Sequence, residues 1–136
     1  MTLFADLPSS VIGVGVDLVD TRRFADVIAR TPLLVPRVFT DREIELSGGE
    51  TLRPASLAAR WAAKEAVAKV LVDNRGLSWH DCEVLTGDLG SPHLHLSGTV
   101  LAAAHDRGIA SWLVSLSHDG HMAVAFVVAT GKGPTT

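Results

Sequence analysis

Arg60-Trp61-Ala62-Ala63-Lys64-Glu65-Ala66-Val67-Ala68-Lys69 reads as helix, because it is dominated by Ala, Arg, Lys and Glu, which favour that state. Yet three cations and one carboxylate stand inside an otherwise apolar run. On a helix Trp61, Glu65 and Lys69 share one stripe, and Arg60 and Lys64 share the stripe beside it. One carboxylate ringed by cations suits a metal-assisted phosphate site. It equally suits a solvated surface helix with an i, i+4 pair from Glu65 to Lys69, worth ~0.3–0.5 kcal/mol. Both readings stand at the level of this segment.

Working outward, Pro54 suits the first turn of this helix, which is expected to run to about Leu71. Upstream, residues 11–16 form a short apolar run of strand character ending at Asp17. Asp20 or Thr21 can cap a helix reaching roughly Arg30, and Pro32 and Pro36 mark a turn. Thr40-Asp41-Arg42-Glu43 has the capping-box pattern and opens a short helix that Gly48-Gly49 stops. Residues 74–80 read as loop. The period then changes: 82–86 and 93–97 are expected strands joined by Gly87-Asp88-Leu89-Gly90-Ser91-Pro92. An Ala-rich helix follows over 98–107, closed by Gly108. Residues 112–117 and 122–129 are paired strands around an Asp119-Gly120 turn. The order argues an α+β fold, a largely antiparallel sheet packed on a long central helix.

The chain has 136 residues, 47% hydrophobic and 20% charged, the balance of one globular domain with its own core. The domain is expected over 11–130, with an N-terminal arm at 1–10 and a disordered tail at 131–136. Asp6, Pro8 and the lack of a basic start argue against a signal peptide. No apolar run approaches the ~20 residues of a membrane span. A net charge of −3 excludes a general polyanion binder. The single cysteine, Cys82, excludes an internal disulfide and points to a cytoplasmic protein.

Gly13-Val14-Gly15-Val16-Asp17 carries the second constellation. Leu18 stands where a dinucleotide fingerprint requires its third glycine, and no Walker-type Gly-Lys-Ser/Thr exists. Strand glycines mark the close approach of a backbone or a ligand. Asp17 is then either a helix cap after a Gly-kinked strand or a functional carboxylate at the sheet opening. Paired with Glu65 it makes a hard oxygen site of the kind Mg²⁺ uses, with water and substrate phosphates completing the shell. Lys64, Lys69 and Arg60 nearby would suit a pyrophosphate substrate.

Residues 21–42 hold five arginines against two aspartates. Arg23, Val27 and Arg30 recur at helical spacing, cationic with an apolar centre, which fits either a docking face for an acidic partner helix or a solvated face. Aromatic residues make up 5% of the chain and none interleaves with this patch, which argues against nucleic acid. His118 closes Val114-Ser115-Leu116-Ser117 just before the hairpin turn, either as a polar turn residue or as a phosphate donor. His93 and His95 alternate with Leu94 and Leu96 and are expected on one exposed sheet face.

Taken together these segments resemble the 4′-phosphopantetheinyl transferases. Trp61-x-x-Lys64-Glu65-Ala66-x-x-Lys69 is similar to their full signature. Gly13-x-Gly15-x-Asp17 followed by Arg23 resembles the opening motif of their small bacterial class, the holo-[acyl-carrier-protein] synthases. Val114-Ser115-Leu116-Ser117-His118 and Phe39-Thr40-x-x-Glu43 resemble two further segments, in the same order, over roughly residues 11–130. The resemblance implies Mg²⁺-dependent transfer of 4′-phosphopantetheine from coenzyme A to a serine of an apo acyl carrier protein, releasing adenosine 3′,5′-bisphosphate. It implies a catalytic set of Asp17, Glu65 and Lys69, with Asp17 and Glu65 as metal ligands. Arg60, Lys64, Lys69 and His118 would contact coenzyme A, and Arg23, Val27 and Arg30 would dock the carrier. It also implies a homotrimer with active sites at the subunit interfaces. Candidates for the general base are Glu65 and a metal-activated water. The competing readings are a non-catalytic trimeric module that binds carriers or nucleotides, and a pyrophosphate hydrolase with water as acceptor.

Overall fold

The computed structural model describes residues 10–73 and 75–131. Alternation organises the first element. Val11–Asp20 forms one strand, β1, in which Gly13, Gly15, Asp17 and Val19 face inward and Val14, Val16 and Leu18 face out. Expected to end at Asp17, it continues to Asp20 because its antiparallel ladder with the last strand runs from Gly13 opposite Ala129 to Asp20 opposite Met122.

Helix α1, Thr21–Arg30, begins there, with the Asp20 carboxylate accepting from the backbone N–H groups of Arg22 and Arg23. The expected turn at Pro32 and Pro36 is instead a short helix, α2, Leu34–Val38. Pro36 falls in its first turn, where a missing N–H costs nothing. Helix α3, Asp41–Leu46, carries the expected capping box: Thr40 and Glu43 each accept from the other's backbone N–H. Helix α4 spans Pro54–Leu71 with Pro54 in its first turn. The expected loop after it ends in a 3₁₀ turn, Trp79–Asp81. Strands β2, Cys82–Thr86, and β3, Pro92–Leu96, pair as a hairpin. Helix α5, Gly98–Asp106, then leads into β4, Ile109–Asp119, and β5, Met122–Gly131.

The α+β reading holds, but the antiparallel strands divide into two sheets rather than one: β1-β5-β4 and the separate β2-β3. The last strand of the chain lies between the first and the fourth, so the motifs near Asp17 and His118 belong to one sheet. The expected arm and tail lie outside the described residues, apart from Ser10 and Gly131. Among the described residues no helix is long and apolar enough to cross a membrane.

Helix α4 is the centre of the molecule. Ala62, Ala63, Ala66, Val67 and Val70 pack on the buried face of β5, formed by Ala125, Val127 and Ala129. Leu57 and Ala58 pack with Phe24, Ile28, Val38 and Phe39 of a second cluster. A helix buried on nearly every side shows no clean apolar stripe, which is why its charges look misplaced in sequence.

The closest approach is at Gly15. A Cβ placed there would lie 2.2 Å from the Ala66 carbonyl oxygen, and at Gly13 one would lie 3.2 Å from a Val70 methyl. Gly15 thus answers to another backbone, that of α4, and Gly13 to a side chain of the same helix. Gly15→Ala should force β1 off the helix and cost about 3 kcal/mol or more. Urea unfolding checks this; unchanged stability would contradict the close packing described here.

Candidate active site

A cleft of about 470 Å³ opens between β1, α1 and α4. Asp17 and Glu65 form one wall, Arg23 and Val27 lie at the α1 side, and Phe24, Val38, Phe39 and Trp61 make an apolar floor. Each placement follows from local structure. Asp17 projects inward because it is two residues beyond Gly15 on the same face of β1. Glu65 and Trp61 project together because they are four residues apart on α4. The capping alternative for Asp17 fails, since Asp20 occupies that role.

Lys69, the next residue of the Trp61-Glu65 stripe, donates to the Asp17 Oδ1 at 2.8 Å and to the Val16 carbonyl at 2.9 Å. It is half-exposed while Asp17 is largely covered. Partial burial pushes the Glu65 carboxyl up; the Asp17 charge adds to this and Lys69 opposes it. A carboxylate whose ionisation a neighbouring carboxylate opposes belongs to a site that gains from a cation. Among the described residues no group of three or more His, Cys, Asp or Glu gathers, so a complete protein cage is not formed there. Two hard oxygen donors fit Mg²⁺, which keeps water and substrate oxygens in its shell.

The structure brings Asp17, Glu65, Lys69, Arg23 and Val27 together, and separates the rest. Arg30 lies at the exposed end of α1, its Nε donating to the Asp26 carbonyl at 3.4 Å. His118 is exposed near the end of edge strand β4; it shares the Asp17 face of the sheet but does not line the cleft. Arg60 is buried and turned toward β2: its Nε donates to the Val84 carbonyl at 2.9 Å, and its terminal nitrogens reach Ser56 Oγ at 2.6 Å and Thr86 Oγ1 at 3.2 Å. Burial lowers its proton affinity, with Glu43 opposing the shift.

Lys64 requires a correction. Expected beside coenzyme A, it is held inside the protein, where its ammonium pairs with Glu43 Oε1 at 2.8 Å with both side chains 0% exposed. It also donates to the carbonyls of Trp79 and Cys82 and lies 5.6 Å from the centre of the Phe39 ring. The physical reason is the helical period: Lys64 is about 100° around α4 from Glu65, which turns it toward α3 and β2.

The sequence marks Glu43 as a capping residue and as part of the Phe39-Thr40-x-x-Glu43 segment, but not as the partner of Lys64. Its Oε1 accepts from Thr40 N–H and its Oε2 from Val84 N–H, and it is the buried partner of Lys64. The signal was faint: a capping-box Glu is ordinarily exposed, and only a buried Lys elsewhere gives it a second role. The floor residues Phe24, Phe39 and Trp61 were legible as apolar, but not as the lining of one cleft. Trp61 also packs on Trp79, ring centres 4.8 Å apart and planes tilted by 57°, and the Trp79 carbonyl accepts from Lys64.

Comparison with known proteins agrees with this fold. The family model of the 4′-phosphopantetheinyl transferase superfamily matches residues 13–126, a span that includes Asp17, the whole of α4 and His118. The holo-[acyl-carrier-protein] synthase of Frankia casuarinae is 58% identical over 120 residues, covering 88% of this chain and 98% of that protein. The enzyme of the same name from Salinispora arenicola is 54% identical over 119 residues, again covering 88% and 98%. Among solved structures, Helicobacter pylori holo-[acyl-carrier-protein] synthase in complex with coenzyme A aligns with a TM-score of 0.75 at 28% identity, covering 86% of this chain and 99% of that one. The chain therefore belongs to the 4′-phosphopantetheinyl transferase superfamily.

Proposed function

We propose that this chain transfers 4′-phosphopantetheine from coenzyme A to a serine of an apo acyl carrier protein, with Asp17 and Glu65 holding Mg²⁺. The observation that carries the site assignment is the cleft wall itself: two carboxylates on separate elements, with Lys69 as their cation, beside a face that carries Arg23. The enzyme class rests on relatives named holo-[acyl-carrier-protein] synthase over nearly their whole length.

In the reaction the serine oxygen bonds to the β-phosphorus of coenzyme A, and the bond from that phosphorus to the bridging oxygen breaks. Adenosine 3′,5′-bisphosphate leaves with the bridging electron pair, and the serine proton departs to a base. The protein's part is positioning and charge stabilisation. Bound Mg²⁺ would supply positive charge to the pyrophosphate oxygens. Lys69, half-exposed beside Asp17, is suited to stabilise the charge on the leaving phosphate. Arg23 and Val27 at the cleft edge, with Arg30 further along α1, are suited to an acidic carrier helix.

Arg60 and His118 lie away from the carboxylate pair within one chain, and the outer face of the β1-β5-β4 sheet is apolar. Leu18 is 62% exposed, Leu113 65% and Phe126 44%. A contiguous bare apolar face of this kind marks an interface. We read it as the surface on which three copies assemble, so that a neighbour can complete each pocket with its own His118. Cys82 is buried, its thiol pushed up to about 12 by desolvation, which fits a cytoplasmic protein that relies on no disulfide.

Intact-mass measurement of an apo carrier with coenzyme A and Mg²⁺ tests the reaction: a gain of one phosphopantetheine arm is expected, and hydrolysis of coenzyme A without a carrier adduct would overturn it. Glu65→Gln should lower turnover by more than about a hundredfold, beyond the usual cost of losing an outer-shell metal partner. Because its folded-state proton affinity is raised, Glu65 favours folding at low pH and that contribution is lost as pH rises through its folded pKa. Glu65→Gln should therefore not lower the Tm of metal-free protein at neutral pH. For the same reason Mg²⁺ binding should weaken on acidification at a pH above the ordinary carboxylate range, which calorimetry across pH checks. Sedimentation equilibrium should give a trimer, dissociated by Phe126→Lys; a monomeric parent protein would contradict the interface.

A further inference from the structure

Asp17 is held in place by Lys69, but among the described residues no ion pair engages Glu65. Its position is then set by the roll of α4 about its own axis, at about 100° per residue. That roll is fixed by the residues on either side of it. At Ala66 the helix backbone lies on Gly15, too close for a Cβ. At Lys64 the ammonium donates to the Trp79 and Cys82 carbonyls and forms an ion pair with Glu43 Oε1. Glu43 is anchored in turn by the backbone N–H groups of Thr40 and Val84. The two anchors grip nearly opposite sides of α4, about 200° apart, with Glu65 midway between them.

Stability alone does not account for a buried ion pair here, since well-packed apolar residues of similar volume commonly serve as well or better. What two directional bonds to backbone carbonyls and an ion pair to a capped helix add is one geometry. We propose that Lys64, through its ion pair with Glu43 and its hydrogen bonds to the carbonyls of Trp79 and Cys82, is a positioning residue that sets the roll of α4 and so points Glu65 at Asp17. This rests on the reading of Asp17 and Glu65 as metal ligands, and it adds a device that supports the ligand without touching the metal or coenzyme A.

The test is the double variant Lys64→Met, Glu43→Leu, which removes the charges together and leaves neither one buried alone. Near-ultraviolet circular dichroism and a thermal melt establish that it is folded. Mn²⁺, as a paramagnetic probe of a Mg²⁺ site, is titrated in the presence of saturating coenzyme A and followed by electron paramagnetic resonance. Adenosine 3′,5′-bisphosphate binding is measured separately without metal. The expected result is Mn²⁺ binding weakened by about tenfold or more, the effect of losing a metal-orienting partner, with nucleotide affinity unchanged. A folded variant with parental Mn²⁺ affinity overturns the inference. So does an equal loss of nucleotide and Mn²⁺ binding, which would return Lys64 to the phosphate pocket. If the double variant does not fold, Glu43→Gln, which keeps the side chain's length and removes its charge, is judged by the same two titrations and the same criteria. In the otherwise unchanged protein, Mn²⁺ binding that Glu65→Gln leaves intact overturns the metal reading beneath this inference, and the inference with it.

Discussion

The contact between Gly15 and the Ala66 carbonyl is the constraint on which the rest of the molecule depends. Only a residue without a side chain lets the strand lie against the helix backbone there. That approach brings a strand carboxylate two residues along, Asp17, to the same cleft as a helix carboxylate one residue back, Glu65. Moving the two elements apart by the width of a methyl group would separate the pair. The small residues Ala62, Ala63 and Ala66, all fully buried, serve the same end by keeping the helix close to β5.

Burial of α4 on most of its surface then sorts its charges. Arg60 and Lys64 face α3 and β2, where every hydrogen bond must be found within the protein, and both are satisfied by carbonyls, hydroxyls or Glu43. Glu65 and Lys69 face the open side, where one carboxylate has its proton affinity raised and one cation is half in solvent. The motif thus divides into an inward half that holds the helix and an outward half available for chemistry. Energy terms differ accordingly. Breaking one partner of the inner pair leaves a buried charge, whereas the outer residues tolerate change in the fold at the expense of the site.

Much of this was legible in sequence. The capping box at Thr40, the proline at the start of α4 and the hairpin near Asp119-Gly120 are local signals read by local rules, and they survive, the last with its two-residue loop at Gly120-His121. Gly13 and Gly15 announced a close approach, though not whether backbone or ligand was near. Pro36 misled because a proline in the first turn of a helix and one in a turn look alike. Lys64 misled for a deeper reason: a motif states which residues occur together, whereas inward or outward orientation depends on what packs against each face of the helix. That packing comes from Glu43 and Cys82, 21 residues before and 18 after it, and no spacing rule links them. The single-chain separation of His118 from Asp17 was likewise invisible, since strand order places the last strand between the first and the fourth.

The central claim is that one close strand–helix contact creates a two-carboxylate metal site. Anomalous scattering from a crystal of the enzyme grown with coenzyme A and Mn²⁺ tests it most directly. The account predicts a single strong peak shared by the carboxylates of Asp17 and Glu65, with pyrophosphate oxygens completing its shell. A metal bound to coenzyme A with neither carboxylate in its shell, or a peak elsewhere in the protein, would contradict it.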